Sequence, residues 1–120
     1  MPFAVSDAVS GVLHTALNGV SARQRVVADN IANVDTPGFL ASSVNFESSL
    51  RAAINRGDFT DGRADVDMSP TPTDAPAAAN GNNVDLREET LTAMQSQFGY
   101  QVLTRAVTDR RGWITASTAR

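Results

Sequence analysis

The sequence predicts a mainly α fold: long N- and C-terminal helices packed as a coiled-coil-like pair, joined by a turn-rich, partly disordered middle with little strand. Three observations predict it. No proline falls from Ser6 to Asn33 or from Asp85 onward, and apolar residues recur at helical spacing through both stretches. Pro37, Pro70, Pro72 and Pro76 gather between them, with Gly38, Gly57, Gly62 and Gly81. The 120 residues suffice for one modest domain, and 42% apolar with 19% charged content suits neither a charge-rich disordered chain nor a membrane span. The chain divides into residues 1–35, 36–84 and 85–120.

In the first segment Val9, Leu13, Ala16, Leu17, Val20, Val27, Ile31 and Val34 fall near one face of a helix, interrupted by Gln24 and Asn30. Ser6 is read as its N-cap, with Asp7 in the first turn where a negative charge meets the positive end of the dipole. A helix from Ser6 to Asn33 is a rod of about 42 Å, long for a compact domain of this size. Its stop is explicit. Asn33 suits a left-handed C′ position, and Thr36-Pro-Gly-Phe39 is built for a type II turn with Gly38 at the positive-φ position.

In the middle, Leu40 to Glu47 alternates enough for a short extended segment, and Ser48 to Asn55 reads as a short helix with Leu50 and Ile54 one turn apart. From Gly57 to Asn83 the composition is that of an extended linker, with a brief strand expected near Ala64–Met68. The second long helix begins with Asp85 as N-cap and Glu88 at N3, a capping box with Asp in place of Ser or Thr. Arg105, Arg110 and Arg111 collect toward its far end, as the dipole favours. Gly99 is a weak point inside it, and Gly112 a candidate terminator.

Composition removes most enzyme classes. There is no cysteine, so disulfide scaffolds, thiolate metal sites and cysteine nucleophiles are out. All ten basic residues are arginines, which removes lysine-dependent phosphate loops and Schiff-base chemistry. His14 alone cannot furnish a zinc site or a Ser-His-Asp triad. No catalytic, cofactor-binding or metal residue is assigned. Asp58, Asp61, Asp65 and Asp67 miss the spacing of a calcium loop, and a mobile loop is a poor support for two carboxylates acting as acid and base. The net charge is −3, with −1 over residues 1–40, −3 over 41–84 and +1 over 85–120. That gives no case for nucleic acid, and no small-molecule substrate is expected. The amino terminus lacks a positively charged n-region and does not read as a secretory signal, so the residues alone leave a cytoplasmic protein or one exported by a route needing no cleavable signal peptide.

On the second helix the apolar residues exceed one seam. Leu91, Phe98 and Val102 occupy one side, while Tyr100, Leu103 and Val107 occupy another. A two-helix hairpin leaves such surface wet, which marks an association site. The expected assembly surface is Leu13, Leu17, Val20, Val27 and Ile31 on the first helix and Leu91, Met94, Phe98, Tyr100, Leu103 and Val107 on the second. Trp113 and Tyr100 are candidate anchors. A heterologous, non-closing contact between such stripes generates a helical assembly.

The stretch Asp29-Asn-Ile-Ala-Asn-Val-Asp-Thr-Pro-Gly-Phe39 resembles the signature of the bacterial flagellar rod, hook and hook-filament-junction proteins. Its functional positions here are Asn30, Ile31, Asn33, Thr36, Pro37, Gly38 and Phe39. Ala16 to Asn30, Val44-Asn-Phe-Glu47, Asn80-Gly-Asn-Asn-Val-Asp-Leu86 and Tyr100-Gln-Val-Leu-Thr-Arg105 look like proximal rod members of that family. The second motif contributes Gly81, Asn82, Asn83, Val84, Asp85 and Leu86. Phe39 stands where Tyr is commoner, and the tail from Arg110 departs from the family's usual ending.

The resemblance implies a structural subunit of the flagellar basal body with no cofactor. Its expected partners are copies of itself, other flagellar rod proteins, the membrane ring with its rod adaptor, and the flagellar type III export apparatus. Terminal helices would form the inner tube of a periplasmic rod that carries torque from membrane ring to hook. The alternatives are another flagellar rod protein, or a soluble helical adaptor or binding module.

Overall fold

A computed structural model describes residues 2–118, so the outermost ends of the first and third segments lie outside the described residues. In chain order it contains α1 (Pro2–Ala32), β1 (Ser42–Ser43), α2 (Glu47–Asn55), β2 (Thr71–Pro72) and α3 (Leu86–Thr118). At 1.5 Å per residue the two long helices span about 46 and about 50 Å. They lie antiparallel: Asn30 is beside Glu89, Gln24 donates to Gln97 at 3.4 Å, and Arg110 Nη2 reaches the Ser6 carbonyl and hydroxyl at 2.9 and 2.6 Å. The molecule measures 65 × 27 × 14 Å, a slab little more than one helix thick.

The middle lies back along α1. β1 pairs antiparallel with β2, Ser42 opposite Pro72 and Ser43 opposite Thr71. Gly62, Ala64, Val66 and Met68 are half-buried, while Arg63, Asp65 and Asp67 between them are exposed. That period of two is an extended strap laid on a surface. The core sits where strap, hairpin and helices converge: Val20, Val44 and Phe46 are buried together, with Leu50, Val66, Met68 and Leu103 packed around them. Two glycines of α1 permit the close approach. A Cβ at Gly19 would lie 2.6 Å from the Phe46 ring, and one at Gly11 would lie 2.3 Å from the Gly62 carbonyl oxygen.

Several expectations are corrected. Ser6 is inside α1 rather than its N-cap; the helix already runs from Pro2, and the Ser6 hydroxyl accepts from Arg110. The strand expected at Ala64–Met68 is absent because its backbone lies against a helix and has no strand to pair with; pairing occurs instead at Thr71–Pro72. Gly112 does not end α3, which continues to Thr118. Asn33 is not left-handed, since among the described residues only glycines have positive φ. The short helix, the long antiparallel pair and the Asp85 cap are as expected: Asp85 Oδ1 accepts from the backbone N–H groups of Arg87 and Glu88 at 3.1 and 3.3 Å.

Two glycine substitutions separate packing from propensity. Gly19→Ala pushes a methyl into the Phe46 ring and should lower unfolding free energy by about 1–3 kcal/mol. Gly99→Ala meets nothing within 4 Å in the middle of α3 and should raise it by roughly 0.5–1 kcal/mol. Urea titration of the purified chain reads both signs.

Candidate functional site

The two sequence motifs meet in space and form a polar clasp at one end of the helix pair. α1 ends because its chain turns. The Asp29 carbonyl accepts both the Asn33 N–H, at 3.2 Å, and the Asn33 Nδ2, at 2.8 Å, and Thr36 Oγ1 donates to Asn33 Oδ1 at 3.0 Å. The Thr36–Phe39 turn closes with the Phe39 N–H on the Thr36 carbonyl at 3.2 Å, and Gly38 supplies φ +76°.

Asn82 and Asn83 lock the second motif onto that turn. Asn82 Nδ2 donates to the carbonyls of Asn33 and Thr36, both at 2.8 Å, while its Oδ1 accepts from the Val84 N–H at 2.8 Å. Asn83 Oδ1 accepts from the Ala41 N–H at 2.6 Å, and its Nδ2 donates to the Ala75 carbonyl at 3.1 Å. Backbone bonds run alongside, from Gly38 N–H to the Asn80 carbonyl at 2.9 Å and from Asn83 N–H to the Phe39 carbonyl at 3.2 Å. Gly81, at φ +83°, faces Gly38 so closely that a Cβ would meet its Cα at 3.2 Å. Asn30 extends the clasp to β1, giving its amide to the Ser42 carbonyl at 2.7 Å and accepting the Ser42 N–H at 3.2 Å, as a neighbouring strand would. Asn30, Asn82 and Asn83 are all buried, and an amide is the side chain that can donate and accept at once in such a place.

Thr36 and Pro37 are exposed, Phe39, Val84 and Ile31 are half-buried, and Leu86 opens α3 facing solvent. Glu89, one turn into α3, has its carboxyl held above the ordinary carboxylate range, chiefly by burial, against the opposing effect of the Asn30 amide. The chain's acidic loop residues serve local turns: Asp58 pairs with Arg56, Asp61 accepts from the Arg63 N–H, and Asp67 accepts from the Ser69 N–H. Among the described residues no cluster could hold a metal ion, and no helix is long and apolar enough to cross a membrane.

The expected apolar surface divides. Val20 and Val27 are buried within the chain, and Leu13, Leu17, Ile31, Leu103 and Val107 are half-buried along the helix seam. Leu91, Met94, Phe98 and Val102 are 54, 65, 69 and 51% exposed on the far side of α3, and Tyr100 is exposed at the seam's margin. The face that α3 turns toward α1 is instead built from Ala93, Ser96, Gly99, Leu103 and Ala106. Sequence reasoning missed Arg23. Its guanidinium donates to the Val44 carbonyl from Nε and Nη2 at 3.0 and 2.7 Å, pairs with Glu47, and lies 5.0 Å over the Phe46 ring. An arginine between Val20 and Val27 on the apolar face was the available signal.

A family model described as flagella basal body rod protein matches residues 12–39, the stretch that carries α1 and the turn of the clasp. The chain is 37% identical over 101 residues to the flagellar basal body rod protein FlgB of Bacillus subtilis, covering 76% of this chain and 78% of that one. It is 38% identical over 109 residues to the FlgB protein of Borrelia hermsii, covering 76% and 81%. The corresponding figures for the Escherichia coli FlgB protein are 32% over 115 residues, covering 80% and 82%.

Two substitutions in the clasp and one beside it have definite outcomes. Gly38→Val has open space around it, so its cost is the left-handed backbone alone, about 1–3 kcal/mol of unfolding free energy. Asn82→Ala removes the amide that bridges the Asn33 and Thr36 carbonyls and the acceptor of the Val84 N–H, and should cost about 1–3 kcal/mol. For Glu89 the raised carboxyl pKa means that the folded chain binds the proton more tightly than the unfolded chain. Stability is therefore greatest with Glu89 protonated and falls as pH rises through its folded pKa. Glu89→Gln should match the wild type in acid and exceed it at neutral pH; chemical denaturation at both pH values reads the difference.

Proposed function

Because the chain belongs to the FlgB family of flagellar basal body rod proteins, we propose that its terminal helices assemble with those of neighbouring subunits into a helical rod. The chain is a structural protein of the flagellar basal body. The observation that carries the assembly reading is the row Leu91, Met94, Phe98 and Val102, large apolar side chains turned away from their own helix partner. Exposed apolar area of this kind is unfavourable in water and is relieved by a second apolar surface.

In this reading the neighbours are copies of the chain and other flagellar rod proteins, with the membrane ring and its rod adaptor at the base. The subunit reaches the periplasm through the flagellar type III export apparatus, and the rod passes torque to the hook. The protein works by shape and association rather than by catalysis. The clasp fixes where the helix pair ends and where the hairpin and strap lie relative to it, so that every subunit presents the same α3 face.

Deleting the gene should abolish swimming, with electron micrographs showing basal bodies that lack a complete rod. Normal motility with intact rods in the deletion strain would overturn the reading. Gly38→Val should be exported yet incorporated into basal bodies several-fold less than wild type; wild-type incorporation would show that the turn's geometry has no part in assembly.

A further inference from the structure

Two asparagines of the chain are followed directly by glycine, Asn18 and Asn80. In that dipeptide the backbone amide most readily attacks the side-chain amide before it, because glycine has no side chain to shield its nitrogen. The two pairs lie in opposite settings. Gly19 is buried inside α1 beneath the Phe46 ring, where the regular helix engages its N–H. Asn80 is exposed, and with Gly81 it forms the turn between Ala78 and Asn82 that carries the second motif into the clasp.

The clasp holds this turn by both edges of one peptide plane. The Gly81 N–H donates to the Ala78 carbonyl at 2.9 Å, and the Asn80 carbonyl in the same plane accepts the Gly38 N–H at 2.9 Å. Once deprotonated, the Gly81 nitrogen would carry its electron pair along the former N–H direction, toward the Ala78 carbonyl oxygen. Aiming that pair at Asn80 Cγ requires the plane to rotate, which breaks both bonds. The side chain is held as well: Asn80 Oδ1 accepts from the Asn82 N–H at 3.1 Å, and the Ala78 N–H closes the turn on the Asn82 carbonyl at 2.8 Å.

We propose that Asn80–Gly81 is a deamidation site held shut by the clasp, which reacts when the clasp opens and whose product keeps it from closing properly. With the turn released, solvent hydroxide takes the Gly81 amide proton and the nitrogen attacks Asn80 Cγ. The bond from Cγ to the side-chain nitrogen breaks, ammonia leaves with a proton from water, and a cyclic imide remains. Water then opens the ring at either carbonyl, leaving aspartate or isoaspartate at position 80. The net change is water consumed and ammonia released, with nothing oxidised or reduced. In the isoaspartate form the chain runs through Cβ and Cγ and is longer by a methylene, and the former Asn80 carbonyl becomes part of a free carboxylate. The Gly38 N–H loses its main-chain acceptor, and the close approach of Gly81 to Gly38 loses its register. A chain held open accumulates the change; a chain with its clasp closed is spared. This chemistry belongs to the single chain and goes beyond the rod reading.

The test holds the purified chain at mildly alkaline pH, folded in buffer or unfolded in guanidinium chloride. Peptide mapping by mass spectrometry follows conversion of amide to acid at each asparagine. In denaturant Asn18 and Asn80 should react at similar rates. In the folded chain Asn80 should react at least roughly tenfold more slowly, because only molecules with an open clasp are reactive. Asn82→Ala and Gly38→Val loosen the clasp at two different points. Each should raise the folded-state rate at Asn80 by about fivefold or more and leave Asn18 unchanged. Chain carrying isoaspartate at position 80 should unfold at a lower guanidinium concentration than unreacted chain.

Equal rates at Asn80 in the folded and unfolded chain would overturn the proposal, as would variants that leave its rate unchanged. So would Asn18 accelerating in step with Asn80 in both variants, since the site would then answer to global unfolding and not to the clasp. An isoaspartate form as stable as its parent would remove the second half of the proposal. None of these outcomes reads assembly, so the rod reading stands apart from them.

Discussion

The structure depends on how α3 spends its side chains. Its inward face carries Ala93, Ser96 and Ala106 beside Leu103 and Val107, while Leu91, Met94, Phe98 and Val102 point to water. An ordinary surface helix does the reverse and hides its largest apolar groups in its own core. The consequence is a thin slab, 14 Å in its shortest dimension, whose buried cluster at Val20, Val44 and Phe46 is small. Such a chain has enough internal packing to set its shape and leaves much of its apolar area exposed.

Shape is then a matter of where the middle segment goes. Buried asparagines settle this rather than a sheet. Asn30, Asn82 and Asn83 each donate and accept, standing in for the backbone partners that a two-residue strand pair cannot supply. Arg23 does the same at the next level, satisfying the Val44 carbonyl and anchoring the start of α2 through Glu47. Because these bonds tie the end of α1, the turn, β1 and the start of α3 to one another, a change in any of them moves the surface that a neighbour would meet.

Much of this was legible in the sequence. Helical periodicity located both long helices, the Thr36–Phe39 turn and the Asp85 cap, and it separated Leu91, Phe98 and Val102 from Leu103 and Val107 as opposite sides of one helix. What it missed had non-local causes. Nothing near Gly11 or Gly19 announces that a strap and a phenylalanine ring, both far along the chain, will press on them. The strap, where a brief strand was expected at Ala64–Met68, keeps a strand's alternation but has no strand partner, and it packs on α1 instead. Ser6 was misplaced because capping preferences are local, whereas the Arg110 guanidinium that engages it comes from the other end of the chain.

The central claim is that the outward row on α3 is covered by neighbouring subunits in the working assembly. Replacing the most exposed of its smaller members, Met94, with cysteine places a single thiol on that row. Maleimide labelling of this thiol should be fast in the purified subunit and strongly suppressed in isolated basal bodies. Equal labelling in the two states would contradict the account.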